Sequence, residues 1–277
     1  MSTRFHKKVG RMLRQPFRNK ILSKYGKAVL ADTWNGLLLV EAGDFAVARK
    51  LLDKGEYDRQ DIEWLTKNLG GSAGHIVVVG AHIGSLLIPL SKISERVTGF
   101  EADLTNFELV SRNLLLNQVT NAKVNNKAVG ASAGEVTVRR NRLNTGNSSI
   151  SLKPIKDLPT VDMVTLDSWL ADDKDPVSLM VMDIEGHELH ALKGGKNTLE
   201  RTEMLYIEYS PSLLKNHDST GVDLLEYIGR FFSDMYILHG GVQHYSVKEG
   251  MEFLASISDK RGLLRNLLFT KKPLHSA

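Results

Sequence analysis

The sequence predicts an α/β fold built on a mostly parallel, Rossmann-like sheet with helices on both faces, and three observations lead to it. Residues 75–101, HIVVVGAHIGSLLIPLSKISERVTGFE, read as a strand, a glycine turn, a helix and a second strand. The run Ile76–Val79 has the β-branched density of a central strand covered on both sides. Strand-like and helix-like segments then alternate to the end of the chain, the arrangement that produces a parallel sheet wrapped by helices.

Residues 1–27 form a basic N-terminal arm in which Phe5, Val9 and Leu13 recur at four-residue spacing before Pro16, followed by Ile21, Leu22 and Tyr25. A short basic amphipathic helix on an anionic membrane surface and a plain basic extension both fit this pattern. Residues 28–74 are expected as a helical cap region, with helices over 44–54 and 58–69, the second opening at Asp58 and closing at Gly70-Gly71. The main domain, 75–277, runs strand 75–80, helix 84–93 carried by Ile83, Leu86, Leu87 and Leu90, strand 96–101 and helix 103–117. Strands 122–129, 134–140, 161–166 and 177–183 follow, then helix 188–199, strand 203–209, helix 220–232, strand 235–239 and a late strand near 266–271.

The composition, 42% apolar and 25% charged over 277 residues, is that of an ordinary globular chain. No run of 18 apolar residues is present to span a bilayer. Zero cysteines exclude disulfides, thiolate metal sites and a cysteine nucleophile. Nine of the 36 Lys and Arg fall in residues 1–27, which contain no Asp or Glu, so the remainder of the chain is net acidic. The arm has no apolar core of signal-peptide length, and a cytoplasmic location is expected. Neither an aromatic stacking pattern nor a recognition module accompanies the basic arm, so no nucleic-acid partner is expected.

The turn after the first strand is where a ligand belongs. Gly80 and Gly84 let the backbone pass close beneath it, with Ala81 and His82 between them, and Glu101, 21 positions after Gly80, can accept both hydroxyls of a ribose. A dinucleotide loop needs a glycine where His82 stands, and no G-x-x-x-x-G-K-[ST] occurs, so neither a pyrophosphate nor a triphosphate has its cradle. A ribose-gripping acid without a phosphate loop suits S-adenosylmethionine and argues against a nicotinamide-linked oxidoreductase.

Residues 161–208 add a second cluster: the strand Val177–Met182 runs into Asp183-Ile184-Glu185-Gly186-His187-Glu188, then a helix and a strand ending in Glu208. With FEADL at 100–104, NLLLN at 113–117 and LDSW at 166–169, this D-x-E-G-x-E block resembles the FkbM family of S-adenosylmethionine-dependent methyltransferases over roughly residues 40–271. The resemblance implies a Rossmann-like class I methyltransferase fold, with the last strand antiparallel near the sheet edge, and O-methylation of a hydroxyl on a sugar, glycolipid or secondary metabolite. It further implies a cofactor site built from Gly80, Ala81, His82, Gly84, Glu101, Ala102 and Asp183, with the adenine near Lys127 and Ala128. Asn113 and Asn117 would steady the loops beneath the cofactor, Asn117 ending its helix. Where the family has Asp, Asn and Pro, this chain has Val78, His82 and Ala102. The first two departures motivate an alternative, a cofactor-binding or scaffold protein without turnover.

Methyl transfer to an alcohol needs the acceptor oxygen aligned and its proton removed. Asp183, Glu185 and Glu188 lie within one turn of one another, and carboxylates so close raise a pKa or recruit a cation such as Mg2+. Glu185 is the first candidate for base or metal ligand, Asp183 for contact with the methionine end or the acceptor, and Glu188 for a structural role at the helix start. His187 is a further candidate base, whereas H-E-L-H fails the zincin spacing. The polar loop 141–153, NRLNTGNSSISLK, reads as an acceptor-side loop, and HGGVQH at 239–244 as a hairpin.

Overall fold

The computed structural model describes residues 27–257 and 263–274. All of the basic arm but Lys27 lies outside the described residues.

The described chain opens with a hairpin, β1 (Ala28–Thr33) and β2 (Gly36–Glu41), followed by α1 (Val47–Lys54) and α2 (Arg59–Asn68). The expected helical cap region 28–74 contains both of its helices but opens with a hairpin that was not expected, whose strands pair antiparallel from Ala28↔Glu41 to Thr33↔Gly36. Then come β3 (Ala73–Val79), α3 (Leu87–Ser91), β4 (Ser94–Phe100), α4 (Leu104–Leu116), β5 (Ala122–Asn125), β6 (Ala128–Val129), β7 (Gly134–Arg139), β8 (Ser149–Ser151) and β9 (Thr160–Val164). The second half contains α5 (Leu166–Trp169), β10 (Val177–Met182), α6 (Glu188–Lys193), α7 (Lys196–Glu200), β11 (Thr202–Tyr209), α8 (Pro211–Leu214), α9 (Gly221–Ile228), β12 (Asp234–Leu238), β13 (Val242–Ser246), α10 (Val247–Ile257) and β14 (Arg265–Thr270).

Eight strands form the main sheet in the order β13-β12-β14-β11-β10-β3-β4-β5. From β11 to β5 every neighbour is parallel, and β14 inserts antiparallel between β11 and β12. The chain order reverses between β3 and β10, so the carboxyl ends of these two strands open a crevice, the usual ligand position in such sheets. Alternate residues explain the unbroken apolar runs. Ile76 and Val78 of β3 pack with α1, α2, α4 and the hairpin on one face. Val77 and Val79 pack with α6, α7, α9 and α10 on the other. A small second sheet, β6-β9-β7-β8, closes over its own apolar cluster of Ala128, Val136, Val138, Val161 and Met163.

Two expected elements are divided. The strand expected over 122–129 breaks between Asn125 and Ala128 because the chain leaves the main sheet for the small one. The helix expected over 188–199 breaks at Gly194-Gly195, where a Cβ on Gly194 would lie 2.0 Å from the Gly130 carbonyl oxygen. The expected helix 84–93 contracts to α3, with turns over the preceding residues in which the Gly84 N–H donates to the Ala81 carbonyl at 2.9 Å.

Candidate functional site

A cavity of about 310 Å3 lies at the carboxyl ends of β3, β4, β10 and β11. One wall is the turn after β3. Gly80 has φ 89°, and a Cβ there would meet the Asp183 carbonyl oxygen at 1.9 Å, so glycine is required for the ends of β3 and β10 to approach. His82 has φ 49°, a left-handed conformation that a non-glycine residue holds only when its surroundings fix it. Its N–H donates to Glu101 Oε2 at 2.7 Å, and its Nε2 sits 2.8 Å from Thr145 Oγ1, which donates to Asp44 Oδ2 at 2.8 Å. Burial depresses the His82 pKa to about 4, with Arg140 acting in the same direction against Asp44 and Asp103, so the ring is neutral.

Glu101 leaves β4 buried, its Oε1 accepting from the Asp103 N–H at 2.9 Å, and burial lifts its carboxyl to about 7. Asp103 then caps α4, accepting from the Thr105 and Asn106 N–H groups at 3.0 Å. Arg140 bridges Asp103 and Glu41, tying the small sheet to the hairpin. Asn106 is 1% exposed beside the cavity, and its Oδ1 has no hydrogen-bond partner.

The acidic end of the cavity comes from the two strands on the far side of the switch point. Asp183 follows β10, Glu185 stands in the next turn with φ 57°, and Glu208 is the penultimate residue of β11. One oxygen from each carboxylate lies within 4.8 Å of the others. Burial first, and then the neighbouring carboxylates, raise the pKa of all three well above the ordinary range. Asp183 lines the cavity and is exposed to solvent, whereas Glu185 is buried and its Oε2 accepts no hydrogen bond. Glu188 plays a different part. Its Oε1 accepts from the Ile184 and Gly186 N–H groups, both at 3.1 Å, and so fixes the turn that carries Glu185. His187 is 1% exposed, stacks on His190 at 4.8 Å, meets His217 edge-on at 5.1 Å, and has neither ring nitrogen partnered. Burial and the two neighbouring histidines push its pKa to about 3.

A family model described as the methyltransferase FkbM domain matches residues 79–233, more than half of the chain and the whole stretch from the Gly80 turn to the end of α9. The chain belongs to the FkbM methyltransferase family. The family is one of S-adenosylmethionine-dependent methyltransferases with the Rossmann-like class I fold, which is the sheet order described above. No match is found among curated proteins. Among solved structures, a methyltransferase FkbM from Methylobacillus flagellatus KT is 22% identical, with a TM-score of 0.44, over 71% of this chain and 43% of that chain. An rRNA methylase from Streptococcus thermophilus is 13% identical, with a TM-score of 0.43, over 77% of this chain and 95% of that one. The 16S rRNA N2 G1207 methyltransferase of T. thermophilus, in complex with AdoMet and guanosine, is 15% identical, with a TM-score of 0.45, over 88% of this chain and 50% of that one.

The FkbM cavity fits S-adenosylmethionine in its donor set. Glu101 and the unpartnered Asn106 oxygen offer polar contacts at one end, Ala102, Val129 and Ile150 an apolar slot, and Asp183 a carboxyl group at the other. Gly80, Ala81, His82, Glu101, Ala102, Lys127, Ala128, Asp183, Glu185 and His187 all line it. Gly84 does not. It packs inward, where a Cβ would meet Val110 Cγ2 at 3.0 Å. Lys127 turns its ammonium to Asp162 at 2.5 Å.

Sequence reasoning missed Tyr57, Asp58, Asn106 and Glu208 as cavity residues, whereas Thr145 belongs to the 141–153 loop, which lines the cavity from Asn144 to Ser148. An acid at the carboxyl end of the strand beside β10 was the available signal for Glu208. Tyr57 and Asp58 arrive from the cap, where burial and the facing carboxylates raise the Tyr57 hydroxyl far above its usual range, and no local pattern marks them.

Proposed function

We propose that the chain is an O-methyltransferase that moves the methyl group of S-adenosylmethionine to a hydroxyl of a small-molecule or glycan acceptor, such as a sugar, glycolipid or secondary metabolite. The observation that carries this reading is a carboxylate pair, Asp183 and Glu185, on the wall of the same cavity as the ribose-binding candidate Glu101. Bound S-adenosylmethionine supplies a sulfonium methyl: the carbon–oxygen bond forms as the carbon–sulfur bond breaks, and the electron pair stays on sulfur. The acceptor's proton must leave as the new bond forms, and a carboxylate held near neutrality by burial is matched to taking it. Glu185 is the first candidate and Asp183 the second. His187, neutral and with free ring nitrogens in the same wall, is the third. Mg2+ held at the pair is the other route by which the alcohol can be activated.

Residues 28–74 act in this reading as a cap on the domain 75–277, Tyr57 and Asp58 closing one side of the cavity and limiting water. A peripheral position on an anionic membrane from the cytoplasmic side, through residues 1–27, belongs to the same proposal.

One observation favours the alternative of a cofactor-binding protein without turnover. Val78 is 1% exposed, in register with Val181 and part of the apolar cluster, so no charge stands at that point of β3. Calorimetry and a labelled-methyl assay separate the two. S-adenosylhomocysteine should bind while NAD does not, and Glu101→Ala should weaken that binding at least tenfold, about the 1.5–3 kcal/mol of a charge-assisted hydrogen-bond pair, with an unchanged circular dichroism spectrum. Label from S-adenosylmethionine should appear on a hydroxylated acceptor from a panel of sugars, glycolipids and polyols. Binding without transfer to any hydroxyl, or transfer only to RNA, would reject O-methylation of small acceptors.

A further inference from the structure

We propose that Asp183, Glu185 and Glu208 form a site for a hard divalent cation, Mg2+ or Mn2+ in kind, on which two neighbouring hydroxyls of the acceptor are gathered. The second half of this proposal rests on the O-methyltransferase reading, and the first half does not.

The sheet itself assembles the three ligands. β10 and β11 run parallel with Met182 opposite Ile207, so the residues that follow, Asp183 and Glu208, stand side by side at the strand ends. The turn fixed by Glu188 brings Glu185 back over them. One oxygen of each carboxylate is within 4.8 Å of the other two. In an octahedral Mg2+ shell opposed ligands are about 4 Å apart and adjacent ones about 3 Å, so side-chain movements of up to about 2 Å bring the three oxygens to three of the six positions. Only oxygens are offered, the donor type of Mg2+ and Mn2+ rather than of zinc or copper.

Two further observations point to a ligand there. Glu185 is 7% exposed, yet its Oε2 accepts no hydrogen bond, which is costly for a buried carboxylate unless something outside the protein chain meets it. His187, 1% exposed in the same cavity wall, leaves both ring nitrogens unpartnered. No side-chain cation among the described residues answers the three acids. Lys50, the lysine on the cap side of the cavity, lies over the Tyr57 ring at 4.5 Å. One cofactor ammonium can meet one of the three carboxyl groups, whereas a divalent ion can take an oxygen from each and has positions to spare. Three protein oxygens leave about three coordination positions, enough for both oxygens of a 1,2-diol and a water. An acceptor with adjacent hydroxyls, as on a sugar ring, is therefore the class that this site would select.

The test uses the full chain stripped of metal by chelation, titrated with Mn2+ and followed by the paramagnetic resonance signal of free Mn2+, with and without saturating S-adenosylhomocysteine. One site should fill in both conditions, and Glu208→Gln and Asp183→Asn should each weaken it at least tenfold. Glu208→Gln should keep its affinity for S-adenosylhomocysteine, measured by calorimetry, and its thermal midpoint should not fall, since an acid crowded by its neighbours is replaced by an amide of the same shape. Absence of Mn2+ binding in both conditions, or unchanged Mn2+ affinity in Glu208→Gln, overturns the proposal. So does loss of S-adenosylhomocysteine affinity in that variant with no effect on Mn2+, which would give these carboxylates to the cofactor's ammonium. If Mn2+ binds as expected but S-adenosylhomocysteine does not, the cation site stands and the methyltransferase reading fails. A 1,2-diol acceptor should then be methylated at least tenfold faster than its singly hydroxylated analogue when Mg2+ is present, and equal rates overturn the diol half.

Discussion

His82 accepts a strained backbone because three partners hold it: the Glu101 carboxylate on its N–H, Thr145 on its ring and, through Thr145, Asp44. Since Thr145 gives its hydroxyl proton to Asp44, His82 Nε2 must be the donor in their contact, which defines the neutral tautomer. At the other end of β3 the same balance of burial against charge yields a measurable pH effect. His75 is 3% exposed, with Nε2 2.9 Å from Thr98 Oγ1 and Nδ1 3.2 Å from Asp173. Burial, then Arg96 and Arg201, outweigh Asp173 and Asp175 and push its pKa from 6.5 to about 4. Between those values the unfolded chain binds a proton that the folded chain does not, so stability is full above the unfolded pKa and falls as pH drops toward 4, by up to about 1.4 kcal/mol per unit. Urea denaturation at about pH 7 and about pH 5 should show His75→Gln losing less stability between the two than the wild type. Equal losses would show that His75 is not the group responsible. Local sequence exposed Glu101 and the D-x-E-G-x-E acids because motif spacing places them. It did not expose Tyr57, Asp58 or Glu208 as neighbours of those acids, since the cap and the end of β11 are separate parts of the chain that only the fold brings to one cavity.

Elements with a strong local pattern were legible, and those that depend on distant partners were not. β3 and β10 are continuous apolar runs, and their positions followed from that pattern. The hairpin lacked such a signal because part of its pairing comes from a helix. Asn113 and Asn117, four apart on α4, turn their amides to β2 as a strand edge would. Asn117 Oδ1 accepts from the Leu37 N–H at 2.9 Å and its Nδ2 donates to the Leu37 carbonyl at 2.8 Å. Asn113 does the same for Leu39 at 2.7 and 3.2 Å, and also donates to the Ile83 carbonyl in the turn after β3 at 2.8 Å. One fully buried amide therefore couples the hairpin to the loop that lines the cavity. Asn113→Ala leaves three backbone groups without that partner and should cost about 2–3 kcal/mol in chemical denaturation. Hydrogen exchange at the Leu39 amide should accelerate at least tenfold in this variant. Unaltered exchange there would mean that packing alone holds the hairpin in place.

Across the whole molecule, charge is divided between two regions. The described body gathers Asp58, Glu101, Asp183, Glu185 and Glu208 around one cavity, while nine of the chain's 36 basic residues stand in the first 27 positions without an acid among them. A net-acidic body and a basic arm cannot both lie against an anionic surface, so any such attraction must act through the arm. No helix among the described residues is long and apolar enough to cross a membrane. Each Lys or Arg close to an anionic bilayer contributes about 1 kcal/mol, and salt weakens the sum within a Debye length of about 10 Å at 0.1 M. The full chain should therefore sediment with phosphatidylserine vesicles at low salt and be released as salt rises. Deleting residues 1–27 should abolish sedimentation while leaving S-adenosylhomocysteine affinity unchanged, because the cavity is built from residue 46 onward. A full-length chain that stays in the supernatant, or a truncated one that sediments equally, would remove the arm from any membrane role.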